Sequence, residues 1–181
     1  MTDDGFDSSN EGLLCARITH LEMRAPPPRV PMPLGFHLAL LRVNDMPVHF
    51  YRYLYEQVGR PHHWSFHRDL DDEALSATIH TEETEIRVLY CDGAPAGFFE
   101  LDLSGLPKEA EIRYFGLVPD FQGRGLAKFF LSEAVSAAFF YEPERLAIQT
   151  NSLDSPRALQ LYQRFGFSPY AWSQEMVSPW E

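Results

Sequence analysis

Glu109–Ala138 reads EAEIRYFGLVPDFQGRGLAKFFLSEAVSAA. It begins as a strand and ends as a helix. Ala110 to Val118 carries β-branched and aromatic residues, as a strand does. Pro119-Asp120 ends it, because proline cannot donate to a ladder. Gln122-Gly123-Arg124-Gly125-Leu126-Ala127 follows, and then an apolar helical run. Two glycines at a strand-to-helix turn let backbone amides come close to an anion. The helix N-terminus behind them adds the positive end of its dipole. Arg124 and Lys128 add full charges, so the turn reads as a pyrophosphate cradle.

Its type follows from spacing. The P-loop pattern G-x-x-x-x-G-K-S/T is absent from the sequence. Gly123-Arg124-Gly125 starts the dinucleotide pattern G-x-G-x-x-G, but Lys128 stands where the third glycine belongs. What remains is Gln-x-x-Gly-x-Ala. It resembles the acetyl-CoA signature of the GCN5-related N-acetyltransferases, R/Q-x-x-G-x-G/A. The context strengthens the match: strand, Val118-Pro119, signature, helix, a second strand, and then Ala158 to Phe167. That last segment resembles the family ending A-x-x-L-Y-x-x-x-G-F. The resemblance covers roughly His37 to the C-terminus.

The totals agree with such an enzyme. The chain has 181 residues, 45% hydrophobic and 23% charged, which suits one soluble domain with a core. A net charge of −11 argues against nucleic acid as a partner and fits a cationic amine. Cys15 and Cys91 form no metal or disulfide pattern. The spacing of His62, His63 and His67 matches no zinc motif, so no metal is expected. No apolar run reaches the length of a membrane span, and the acidic start is not a signal peptide. No membrane partner and a cytoplasmic location are therefore expected, and a homodimer is left open.

Residues 1–33 read as an N-terminal extension: a disordered acidic tail over Met1 to Gly12, an extra strand within Leu13 to Met23, and a proline-rich connector. Residues 34–181 read as the acetyltransferase domain. His37 to Val43 is a strand, and Asn44 or Asp45 is placed to cap a helix over about Pro47 to Val58. A second helix is expected over Asp69 to Ile79. Glu85 to Cys91 and Ala94 to Leu103 form a hairpin around Asp92-Gly93. Leu126 to Tyr141 is a helix with one polar stripe of Lys128, Ser132 and Ser136. Arg145 to Thr150 is a strand parallel to the central one. Pro156 to about Arg164 is a helix capped by Asp154 or Ser155, and Phe167 onward closes the sheet. The fold class is α/β: a mixed, mostly antiparallel sheet with a splayed parallel pair and helices on both faces.

The resemblance implies acetyl-CoA as co-substrate and assigns roles. The amides of Gly123, Arg124, Gly125, Leu126 and Ala127 bind pyrophosphate, with Gln122 at the edge. The pantetheine arm pairs with the backbone of Leu117 and Val118, and the Leu117 amide polarises the thioester carbonyl. Gly116 suits a bulge there. Ser155 stands where the family often has an Asn that bonds the cofactor arm. Tyr162 matches the tyrosine that protonates the leaving thiolate, and otherwise reads as a core tyrosine. Ala110-Glu111-Ile112 resembles a segment whose glutamate is the general base. Strand alternation puts Glu111, Arg113 and Phe115 on one face. Glu111 otherwise reads as an exposed, paired carboxylate. Tyr55, Arg60, His63 and Trp64 lie where the family lines its acceptor pocket, and otherwise are core aromatics and exposed histidines. The implied reaction is N-acetylation of a small-molecule primary amine by direct attack in a ternary complex. The alternatives are a protein or peptide amine, or a non-catalytic acyl-CoA-binding module.

Overall fold

One seven-stranded sheet carries every strand among residues 12–180, the residues that a computed structural model describes. The acidic tail expected over Met1 to Gly12 lies outside the described residues, apart from Gly12. The strands are β1 Leu14–Met23, β2 Leu38–Arg42, β3 Thr84–Cys91, β4 Ala94–Asp102, β5 Glu109–Leu117, β6 Arg145–Asn151 and β7 Ser168–Val177. The helices are α1 Val48–Gly59, α2 Asp72–Ile79, α3 Leu126–Phe139 and α4 Pro156–Phe165. The sheet order is β2-β3-β4-β5-β6-β1-β7. All neighbours are antiparallel except β5 and β6, which α3 joins as a parallel pair. This is the expected mixed sheet with one parallel pair.

Two apolar layers clothe the sheet. On one face, α3 and α4 pack Phe130, Leu131 and Phe165 against Phe99, Leu101 and Ile112. On the other, α1 and α2 pack Tyr51, Leu54 and Leu75 against Ile86, Val88 and Phe98. Gly116 lets α1 approach β5: a Cβ there would lie 2.3 Å from Val58 Cγ1.

The N-terminal stretch contributes β1, which lies inside the sheet, between β6 and β7. Strand β7 therefore pairs with β1 and forms an edge. The connector after β1 crosses α3. Ser132 Oγ accepts from the Val30 amide at 2.9 Å, and Arg29 pairs with Glu133 at 2.7 Å. The polar stripe of α3 thus holds the connector, and Ser132 is buried.

Three local expectations are corrected. Neither Asn44 nor Asp45 caps α1. Pro47 takes the cap position without a side-chain bond, and its carbonyl accepts from the Phe50 and Tyr51 amides. The irregularity in β5 falls at Arg113, not Gly116. Glu100 faces Tyr114 and Leu101 faces Ile112, so Arg113 is the extra residue. A bulge shifts the alternation by one, and Glu111 and Phe115 consequently lie on opposite faces. Phe115 packs on the α3 face with Ala110 and Ile112, whereas Tyr114 packs on the α1 face.

Candidate active site

Strands β5 and β6 pair only from Glu109–Arg145 to Ile112–Ile148. Past the Arg113 bulge they part, and a cavity of about 1110 Å³ fills the gap. Its walls come from both faces of the sheet. Phe115, Leu117 and Tyr162 belong to the α3 and α4 side, and Val58, Trp64 and Tyr114 to the α1 side. The cavity therefore runs through the sheet.

One end is the glycine turn. Gly123 and Gly125 have φ of 72° and 81°, a region that favours glycine. A Cβ on either would meet nothing within 4 Å, so the space above the turn is open. Gly125 caps α3 without a side-chain bond, which leaves first-turn amides to a ligand. Lys128, in the first turn of α3, stands at this end, and Arg157 and Arg164 of α4 also line the cavity; all three supply charge for phosphates. Arg124 instead stands over the Phe121 ring, 5.0 Å from its centroid. The turn and these cations fit acetyl-CoA.

The strand end supplies one free direction. The Val118 amide donates to the Ala96 carbonyl at 2.9 Å, so it is committed to β4. In an antiparallel ladder the N–H of the preceding residue turns the other way, and the Leu117 N–H points into the gap. The Leu117 carbonyl accepts from Gln122 Nε2 at 3.0 Å. Gln122 therefore fixes the strand end from below the glycine turn.

Tyr162 lines the cavity between Phe115 and Phe167, at centroid distances of 6.3 and 6.2 Å. Burial, and then the charge of Asp154, push its pKa well up, so it stays a phenol. Ser155 caps α4 by accepting from the Arg157 amide at 3.3 Å, and also lines the cavity.

The far end is aromatic. Tyr55, Trp64 and Tyr114 contact one another at 4.9 to 5.5 Å between centroids. Trp64 Nε1 donates to Asp154 Oδ1 at 3.4 Å, tying the loop after α1 to the loop after β6. The chain's C-terminal segment braces the same loop. Trp180 Nε1 donates to the Trp64 carbonyl at 2.8 Å, and the Trp180 amide donates to His63 Nδ1 at 3.1 Å. His63 still lines the cavity, but Arg60 stands outside it, over the Trp180 ring. Glu111 also lies outside the lining, on the α1 face, 4.0 Å from Arg113, which pairs with Asp102. Burial raises its pKa against the pull of Arg113.

Behind the aromatic wall lies a cluster that the sequence reading missed. Glu100, on β4, is 1% exposed and accepts from the Tyr51 hydroxyl at 2.6 Å. His67 Nδ1 lies 2.6 Å from the same hydroxyl, and its Nε2 is buried without a protein partner. Alternation in AGFFELDL marks Glu100 as facing the helices, a position where a carboxylate needs a partner. That signal was present in the sequence.

The model of the acetyltransferase (GNAT) family matches residues 48–167. The chain belongs to the GNAT acetyltransferase family. GNAT structures share its fold. An acetyltransferase of the family from Novosphingobium aromaticivorans superposes with a TM-score of 0.63 at 15% identity, over 92% of this chain and 66% of that one. A GCN5-related N-acetyltransferase from Sphaerobacter thermophilus gives 0.61 at 19% identity, over 93% and 54%. The aminoglycoside N-acetyltransferase AAC(6')-Iy, solved with CoA, gives 0.54 at 20% identity, over 76% and 92%. The chain thus spans about two thirds or less of the first two. A search among curated proteins finds no match. Among the described residues, no helix of this GNAT protein is long and apolar enough to cross a membrane.

Proposed function

We propose that this protein transfers the acetyl group of acetyl-CoA to a primary amine of a small molecule, by direct attack in a ternary complex. The observation that carries this reading is the passage between β5 and β6. It joins the glycine turn, on one side of the sheet, to an aromatic wall on the other, with the Leu117 N–H directed into it. A cofactor and an acceptor can enter from opposite faces and meet at the strand end.

The residues then divide the work. Gly123, Gly125, Leu126 and Ala127 hold the pyrophosphate through backbone amides, and Lys128 adds charge. The Leu117 N–H faces the carbonyl oxygen that gains charge during transfer. Tyr162 stays protonated and gives its proton to the thiolate. Glu111 takes the proton of the ammonium through water on the α1 face, where its raised pKa suits a base. Direct attack is favoured because neither Cys15 nor Cys91 lines the cavity, so no thiol stands ready to carry the acetyl group.

The test is a panel of primary amines followed by release of the CoA thiol. Acetyl-CoA-dependent release with any amine supports the reading. Tight acetyl-CoA binding without transfer to any amine would instead identify an acyl-CoA-binding module.

A further inference from the structure

We propose that the acceptor is a monoamine with a flat aromatic body, held by the ring wall on the α1 side, and not a polycation. This rests on the acetyl-transfer reading and narrows its substrate.

The wall is built from rings that are already fixed. Tyr55, Trp64 and Tyr114 form a mutually packed triplet. Trp64 lies against the backbone of α1, where a Cβ on Gly59 would come within 2.6 Å of its ring. Its indole N–H and its carbonyl are both bonded, to Asp154 and to Trp180. Such a wall loses little freedom when a ligand covers it. At the lip, Phe66 lines the same cavity and is 69% exposed. A large exposed ring at a pocket mouth marks surface that a ligand would cover.

The charges point the same way. A polycation needs a carboxylate for each ammonium it desolvates. Among the described residues, only Asp154 and Glu175 line the cavity with negative charge. Asp154 is occupied: Oδ2 accepts from Thr150 Oγ1 and the Asn151 amide, both at 2.8 Å, and Oδ1 from Trp64. Arg113, Lys128, Arg157 and Arg164 line the cavity with positive charge. Lys128, Arg157 and Arg164 supply charge for the cofactor phosphates, so what turns a polycation away is the shortage of carboxylates: of the two, Asp154 is already bonded. One ammonium on an aromatic body fits instead, with the rings taking the body by stacking and the cation by its attraction to their faces.

The experiment has two readouts. Turnover is compared for 2-phenylethylamine, n-butylamine, spermidine and kanamycin at equal acetyl-CoA. Binding of the same amines to the CoA-loaded protein is measured by calorimetry, independently of turnover. The expected result is a kcat/KM for 2-phenylethylamine at least about tenfold above the other three, and the tightest binding. Phe66→Ser, at an exposed position, should raise KM for 2-phenylethylamine several-fold while leaving its kcat and CoA affinity near those of the parent. Preference for spermidine or kanamycin in either readout overturns the proposal, and so does an unchanged KM in Phe66→Ser. If no amine turns over, the acetyl-transfer reading fails and binding still decides the wall: selective 2-phenylethylamine binding sustains it, and its absence overturns it.

Discussion

Tyr51 and Glu100 meet at 2.6 Å, hydroxyl to carboxylate, on the buried α1 face of the sheet. His67 Nδ1 contacts the same hydroxyl. Tyr51 has one proton to give. With Glu100 ionised, Tyr51 donates to it and accepts from His67. With Glu100 protonated, the direction of both bonds reverses, and neither is lost. Burial raises the Glu100 pKa to about 7 and lowers that of His67 to about 4. Arg113, Asp102 and Glu111 also act on Glu100, but less than burial does.

These two shifts have opposite consequences for stability. A raised Glu100 pKa stabilises the fold at low pH, and that contribution is lost as pH rises from about 4.5 to about 7. A lowered His67 pKa stabilises above about 6.5, and that contribution is lost as pH falls to about 4. In the shared window the folded pair and the unfolded pair each bind one proton, so the two slopes cancel. Glu100→Gln should expose the His67 slope, with stability falling toward acid by up to about 1.4 kcal/mol per pH unit. His67→Asn should expose the opposite slope. Urea unfolding from pH 4 to 8 reads both. Parallel pH profiles in the parent and both variants would refute the linkage.

Gly116 and Val58 set the depth at which α1 sits. Gly116→Ala forces its new methyl onto Val58 Cγ1, and should cost about 1–3 kcal/mol. Adding Val58→Ala opens the space. The double variant should be more stable than the sum of the two single costs, by an interaction of about 1 kcal/mol. Strict additivity in denaturant melts would mean that α1 simply shifts.

Gly125 has φ of 81° above open space, so its substitution brings backbone strain but no clash. Asn tolerates this region better than other residues. Gly125→Asn should keep the fold and most acetyl-CoA affinity. Gly125→Glu adds like charge facing the phosphates, and should lose roughly 10²-fold in affinity, about 2.7 kcal/mol. Equal affinities for the two variants by calorimetry would place the phosphates elsewhere.

Much of this was legible in the sequence because it rests on local chemistry. Pro119, the Gly123 and Gly125 turn, and the period of α3 each announce themselves within a few residues. The Arg113 bulge does not, because it depends on how β4 registers against β5. That single extra residue moved Phe115 to the face opposite Glu111. The place of β1 between β6 and β7 is likewise a long-range pairing, with Ile18 opposite Asn151 and Ser173. Alternation with Phe98 turns Glu100 toward the helices, but its partners Tyr51 and His67 come from α1 and the loop beyond it, so the cluster itself is not legible in the strand. Trp180 near the chain end carried no signal for bracing His63 and Trp64, a contact made across more than a hundred residues.

Glu111 differs from Glu100 in exposure and company. Its side chain is 28% exposed and has Arg113 at 4.0 Å. If it takes the ammonium proton, Glu111→Gln should cut turnover at neutral pH and remove the acidic limb of the rate profile, with acetyl-CoA affinity kept. Glu100→Gln, behind the wall, should retain that limb. An acidic limb that survives in Glu111→Gln and vanishes in Glu100→Gln would move the base to the buried cluster.

Tyr162→Phe separates chemistry from packing at the centre of the cavity. The ring is held between Phe115 and Phe167, and phenylalanine keeps those contacts. Only the hydroxyl is lost. A hydroxyl serving the fold would cost about 1 kcal/mol of stability and little rate. A hydroxyl that protonates the thiolate gives the opposite pattern: an almost unchanged Tm and a turnover loss of roughly 10²-fold or more. Its pKa lies well above the ordinary tyrosine value, so it is protonated across the working range and the loss should not depend on pH between 6 and 9. Acetyl-CoA affinity should hold, because the glycine turn and Lys128 are untouched. Turnover and Tm must come from the same preparation, so that a misfolded fraction cannot pass for a chemical defect. Full turnover in Tyr162→Phe would leave the thiolate to be protonated by solvent, and would reduce Tyr162 to a wall of the passage between β5 and β6.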